Sequence, residues 1–173
     1  DPNLGAKEQL LFIPKARGFK IANLNITSLI KHIDELRIYM HNQELDVLGI
    51  NETRLDSDVP IDLISIDGYT WIAKNRNRSG GGVGFYVRNS INFEVRQDLN
   101  NYEIESLTIE ILKPKMKPFL ITTWYRPPNS SIDKLKEFEK LLQDIDYEDK
   151  ESIIMGDINI DISKDSFDTN SAE

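Results

Sequence analysis

The chain has 173 residues, 39% of them hydrophobic and 29% charged, a balance that fits one globular domain with its own core. It has no cysteine, which excludes disulfides, zinc–thiolate sites and cysteine nucleophiles, and no apolar run approaches the roughly 20 residues a bilayer span needs. The net charge of −8 is confined to residues 143–173, which hold ten acids and two bases; the remainder sets 19 bases against 19 acids, so approach to a phosphate backbone is not excluded.

Residues 1–18 lack a clear period and contain Pro2, Gly5, Pro14 and Gly18, which predicts an irregular lead-in. Its apolar stretch, Leu10 to Ile13, is too short for a signal-peptide core and is stopped by Pro14. The first residue is Asp1 rather than Met, the expectation for a processed chain or a fragment. Phe19 to Asn25 alternates apolar and polar residues, the mark of a half-buried strand. Thr27 or Ser28 is placed to cap a helix in which Leu29, Ile33, Leu36 and Met40 share one face. Leu45 to Ile50 is apolar enough for a buried parallel strand, and it runs into Asn51 and Glu52.

Tyr69–Ala73, Gly82–Arg88, Ile91–Arg96 and Ser106–Leu112 then read as strands of a meander. Phe119–Tyr125 is β-branched and aromatic, a further strand closed by Pro127 and Pro128. A second amphipathic helix carries Ile132, Leu135, Phe138, Leu142 and Ile145, and Ser152–Gly156 is a buried strand leading into Asp157. Two strand–helix–strand units therefore each close on a carboxylate, Glu52 and Asp157. Ligands of such crossover sheets sit at the carboxyl ends of the strands. Two acids delivered there suit a hard divalent cation such as Mg²⁺, which takes oxygen ligands and few of them from protein.

The order LNI, NETRL, SGGGVGFYVR, WYRPPN and GDIN, from about Phe19 to Asn159, resembles the endonuclease/exonuclease/phosphatase superfamily. The SGGGVGFYVR and WYRPP forms are most similar to the endonuclease of animal non-LTR retrotransposons. The resemblance implies a four-layer α/β sandwich, two mixed sheets face to face with helices outside. This chain would supply the first sheet and the start of the second, with residues 19–162 as domain and 163–173 as an acidic frayed tail. An incomplete second sheet predicts either exposed apolar surface and self-association, or a partial sheet.

By the same resemblance Glu52 would be the main protein ligand of Mg²⁺ (or Mn²⁺), with Asn25 beside the metal. Tyr125 would reach the scissile phosphate, Asp157 would activate the attacking water, and Asn159 would hold a non-bridging oxygen or the base. The implied reaction is in-line hydrolysis of a DNA phosphodiester in an intracellular setting, nuclear or cytoplasmic, with DNA and no membrane as partner. The superfamily's closing serine–aspartate–histidine motif is not found, and the expectation is a chain truncated before it. His32 and His41 match no family motif and read as ordinary helix-face residues. Pro128 stands where many relatives place Asn, with Asn129 following, a feature of the retrotransposon form.

Several features have a plain structural reading beside the functional one. Lys74, Arg76 and Arg78 form either a DNA-backbone contact or a solvated loop, and Arg126 joins them as a candidate nucleic-acid contact. Gly80–Gly82 fits neither a P-loop nor a dinucleotide fingerprint and predicts a flexible turn. Three functions remain open: a DNA-nicking domain, a non-catalytic remnant or interaction protein of the same fold, and a phosphatase acting on a small molecule or lipid. The third is disfavoured, since Ile160 and Asp161 follow GDIN where phosphoinositide phosphatases carry an aromatic–Arg pair.

Overall fold

Among the described residues, eight strands and two long helices form where the alternation and the helical period place them. They are β1 (Ile21–Asn25), α1 (Leu29–Gln43), β2 (Val47–Asn51), a single turn α2 (Ile61–Ile64), β3 (Tyr69–Lys74), β4 (Val83–Arg88), β5 (Asn92–Val95), β6 (Glu105–Leu112), β7 (Phe119–Tyr125), α3 (Ile132–Tyr147) and β8 (Ser152–Asp157). This computed structural model describes residues 18–160, Met116 and Asn129 excepted; residues 1–17 of the expected lead-in and the whole acidic tail lie outside the described residues. No described helix is long and apolar enough to cross a membrane.

The strands divide into two four-stranded sheets, ordered β1-β2-β4-β3 and β5-β6-β7-β8. Both strand–helix–strand units close as parallel pairs, β1 with β2 and β7 with β8, and all other pairings are antiparallel. The meander read from sequence is corrected here. Its first two strands form a hairpin that inserts β4 beside β2, and its last two belong to the other sheet. The β4–β5 connection changes sheets, a step that strand periodicity does not encode.

Three apolar clusters define four layers. Leu29, Ile33, Leu36 and Met40 of α1 pack on Leu48, Ile50 and Tyr86 of the first sheet. Val47, Val83, Phe85 and Val87 meet Leu107, Ile109, Ile111 and Ile121 between the sheets. Leu120 and Trp124 receive Leu141 and Ile145 of α3, with Trp124 stacked on Phe138 at 3.6 Å between ring centroids. The face expected of α3 shifts accordingly: Leu141 is fully buried, Leu142 half-buried, and Ile132 is 63% exposed at the helix start.

The expected side-chain cap of α1 is absent. Ser28 holds the capping position without a side-chain hydrogen bond. Instead the Ser28 and Leu29 N–H groups donate to the Glu52 and Thr53 carbonyls, both at 2.9 Å. The helix start is thus tied to the segment after β2, which satisfies otherwise orphaned donors.

Among the described residues β8 is an outer strand of the second sheet. Ile153 and Ile154 of that strand are each 40% exposed, as is Ile158 beyond it.

Candidate active site

Side-chain alternation places the polar site within the inter-sheet space. The residues of β1, β2, β7 and β8 that share one register parity run Ile21–Asn23–Asn25, Val47–Gly49–Asn51, Ile121–Thr123–Tyr125 and Ile153–Met155–Asp157. Ile21, Val47, Ile121, Tyr125 and Met155 all belong to the inter-sheet cluster, so these rows face the opposing sheet. Each row is apolar at its amino end and polar at its carboxyl end. The parallel pairing then collects the four polar ends at one rim of the sandwich.

Beneath that rim lies a closed polar triangle. The Asn23 amide donates to Asn51 Oδ1 at 2.7 Å, the Asn51 amide donates to Thr123 Oγ1 at 3.1 Å, and Thr123 Oγ1 donates to Asn23 Oδ1 at 3.2 Å. Asn51 and Thr123 are fully buried, and the triangle joins β1 and β2 of one sheet to β7 of the other. Mutually satisfied groups of this kind specify one inter-sheet register, because any slip leaves them unpaired.

At the rim itself, Asn25 bridges two acids from different sheets. Its amide NH₂ donates to Glu52 Oε1 at 3.0 Å and to Asp157 Oδ2 at 2.7 Å, while its Oδ1 accepts from the Thr27 N–H at 3.2 Å. Arg54 completes the Glu52 carboxylate at 3.1 Å. Glu52 and Arg54 both lie in left-handed backbone conformation, with φ of 54° and 52°. Such strain in residues other than glycine is held by the surroundings and gathers at functional sites.

Burial pushes the Glu52 carboxyl upward, but hydrogen bonds from Asn25, Arg54 and Tyr125 outweigh it and hold the group below the ordinary glutamate value. The Tyr125 hydroxyl, facing the same carboxylate, is pushed up to about 12 by burial and by its hydrogen bond to Glu52. At neutral pH the site therefore holds an ionised Glu52 and a phenol that keeps its proton.

Asp157 ends β8 in register with Tyr125. Its Oδ1 accepts the Asn159 N–H at 3.1 Å, and the Asn159 amide donates to the Arg126 carbonyl at 2.9 Å. Arg126 is engaged as well: its guanidinium donates to the Ser130 carbonyl at 2.7 Å and reaches the carbonyls of Ile158 and Asn159 at 3.5 and 3.4 Å. Both residues join the loop after β7 to the loop after β8.

The basic residues divide. Arg76 borders a cleft of about 410 Å³ beside Tyr125, together with Glu105, Arg126, Pro128 and Lys134. Lys74 instead donates to the Asn100 and Tyr102 carbonyls at 3.1 and 3.0 Å, and Arg78 pairs with Asp56 at 2.6 Å. His32 and His41 lie on exposed faces of α1, His32 against Glu35 at 3.4 Å, and neither joins the acid pair.

The glycine run is more constrained than a free turn. The Gly81 and Gly82 carbonyls accept the Arg54 and Thr53 N–H groups at 2.9 and 3.2 Å. A Cβ added at Gly82 would run into Thr53 Oγ1, and one at Gly81 into Glu105. Both glycines have positive φ, 71° and 87°, the region where they alone are unstrained. The Asn23–Asn51–Thr123 triangle and Glu105 were missed from sequence. The shared parity of Asn23, Asn51 and Thr123 with the site residues is a signal readable only once the strand pairing is known.

The endonuclease/exonuclease/phosphatase family model matches residues 11–171. The chain belongs to that family. Among solved structures it is similar to the endonuclease domain of TRAS1, a telomere-specific non-LTR retrotransposon, at 13% identity and TM-score 0.63, with 84% of this chain and 61% of that one covered. It is also similar to the human Nocturnin catalytic domain, at 15% identity and TM-score 0.58 over 84% and 65% of the two chains. The 3′ phosphatase NExo from Neisseria, bound to product DNA hairpin, matches at 16% identity and TM-score 0.58 over 83% and 58%. This chain thus spans about three fifths of the length of these domains. At such identities the likeness is one of fold. No curated protein sequence matches.

Proposed function

We propose that this chain hydrolyses phosphodiester bonds in DNA with a divalent cation, Mg²⁺ or Mn²⁺, as the nicking domain of a retrotransposon-like element. The observation that carries the reading is the pair of carboxylates, Glu52 and Asp157, brought from two sheets onto the single amide of Asn25 at 3.0 and 2.7 Å.

The donor set fits a hard cation. Glu52 and Asp157 offer only oxygen, and the positively polarised NH₂ of Asn25 lies between them, where positive charge is favoured. Mg²⁺ keeps several waters and binds through one or two carboxylates, a number that Glu52 and Asp157 can supply. Glu52 would hold the ion, with Asn25 orienting both acids. A bound divalent cation supplies Lewis-acid polarisation of the phosphoryl oxygen and stabilises the leaving group.

The remaining roles fall to the protein's own atoms. Tyr125, protonated to about 12, can donate to a non-bridging phosphoryl oxygen across the working pH range. Asp157, with Oδ2 and Oδ1 held by Asn25 and by the Asn159 N–H, is fixed in orientation to accept the proton of an attacking water. Asn159 and Arg126 set the position of the loops that flank it. Arg76, which borders the cleft and pairs with Glu105, would be the member of the basic trio to meet a phosphate.

A second reading, a metal- and DNA-binding domain without turnover, is favoured by one observation: neither of the chain's two histidines reaches the acids. Nicking of supercoiled plasmid separates the two. The expected result is nicking with Mg²⁺ or Mn²⁺, none with EDTA, and loss in Glu52→Ala. Folded protein that binds Mn²⁺ and DNA but leaves the plasmid intact would overturn the enzymatic reading in favour of the second.

A further inference from the structure

Glu105 opens β6 and is registered against Tyr125, the last residue of β7. Its side chain, 18% exposed, leaves the second sheet and crosses to the first. Oε2 accepts the Gly82 N–H at 2.5 Å and Oε1 accepts the Arg76 guanidinium at 2.7 Å. The Gly82 carbonyl then accepts the Thr53 N–H at 3.2 Å, and the Gly81 carbonyl accepts the Arg54 N–H at 2.9 Å. Thr53 and Arg54 are the two residues that follow Glu52, and Glu52 itself is held in left-handed conformation with φ 54°. The Glu52 and Thr53 carbonyls are in turn anchored at the start of α1. The segment carrying Glu52 is therefore gripped from two sides, by α1 and by the glycine turn.

We propose that Glu105 is a positioning residue. Reaching from the second sheet, its carboxylate clamps the Gly81–Gly82 turn against the Thr53–Arg54 backbone and so fixes where Glu52 points. The inference rests on the reading of Glu52 as the metal ligand. The spatial fit favours the clamp: a Cβ at Gly81 would strike Glu105 Oε2, and one at Gly82 would strike Thr53 Oγ1, so turn, acid and ligand segment close on each other without a gap. The site needs such a clamp because its two acids come from different sheets. Groups that orient metal ligands from behind typically govern metal affinity by about 10–100-fold. Arg76 is the second partner of Glu105.

The test is Mn²⁺ affinity by titration calorimetry, with melting temperature recorded alongside. Glu105→Ala is expected to weaken Mn²⁺ binding by about tenfold. Glu105→Asp keeps the charge but withdraws the oxygen from Gly82, and it should also weaken binding, which decides the matter if the alanine variant fails to fold. Ile109→Val, a loss of packing away from the clamp, should lower the melting temperature and leave Mn²⁺ affinity unchanged. Wild-type affinity in both Glu105 variants, with binding lost in Glu52→Ala, would overturn the clamp and leave the metal reading intact. So would a loss in Ile109→Val equal to that of Glu105→Ala. Equal Mn²⁺ binding by wild type and Glu52→Ala would instead sink the metal reading, and the clamp with it.

Discussion

The two ends of the second sheet treat carboxylates in opposite ways. At the end away from the site, Arg96 meets Asp98 at 2.6 Å, Glu110 at 2.9 Å and Glu148 at 2.6 Å, and Lys150 reaches Glu110 and Glu148 at 2.8 and 2.9 Å. Each of these three acids touches a cation. At the site end, Glu52 meets Arg54, and Asp157 is held by an amide and a backbone N–H, with no cationic partner among the described residues. Compensated charge fastens β5, β6 and α3 together. Asp157, unlike Glu52, is held by neutral donors alone, the undercompensated charge that the proposed cation site would require.

That contrast can be broken most sharply at Asp157. Asp157→Asn is expected to lower the nicking rate by about 10³-fold, the scale of a lost general base, while the melting temperature stays level or rises. A melting temperature that fell with the rate would mean the acid is structural. Arg96→Met should do the reverse. It leaves Glu110 and Glu148, whose side chains are 10% and 24% exposed, to Lys150 alone and should cost about 2 kcal/mol by denaturant unfolding. Mn²⁺ affinity should be untouched, and a change there would show the two ends to be coupled.

Acid titration gives the smallest effect. Hydrogen bonds from Arg96 and then Lys150 hold Glu148 at about 2, below its ordinary 4.5. A carboxyl whose folded value is depressed contributes stability that is complete above about 4.5 and lost as pH falls toward about 2. Glu148→Gln should flatten the stability curve through that window. A curve of unchanged slope would show that the network adds nothing through Glu148.

Much of this architecture was legible in the chain. Alternation at Phe19–Asn25 and the β-branched run at Phe119–Tyr125 located strands, and the acids after two of them pointed to a shared rim. What stayed hidden depended on which strands face which. Asn23, Asn51 and Thr123 look like unremarkable polar residues until pairing gives them one parity. The hairpin of β3 and β4 was run together with β5 and β6 because Asn89 and Ser90 mark a turn without saying that the chain changes sheets. Gly80–Gly82 read as loose because its constraint comes from Glu105, more than twenty residues away. Lys74 looked available for a phosphate, yet its ammonium group lies between two carbonyls that propensity cannot foresee.

The Asn25–Asp157 hydrogen bond spans 132 residues of sequence, and that separation bears on when the site can exist. Contacts between distant residues are among the last that a chain can form, since the closure entropy of the intervening loop must be met first. During synthesis Asn25 and Glu52 emerge long before β8, and the first sheet can pair while the second acid is still absent. The proposed centre, assembled from both layers, would therefore be silent until the two sheets close on each other.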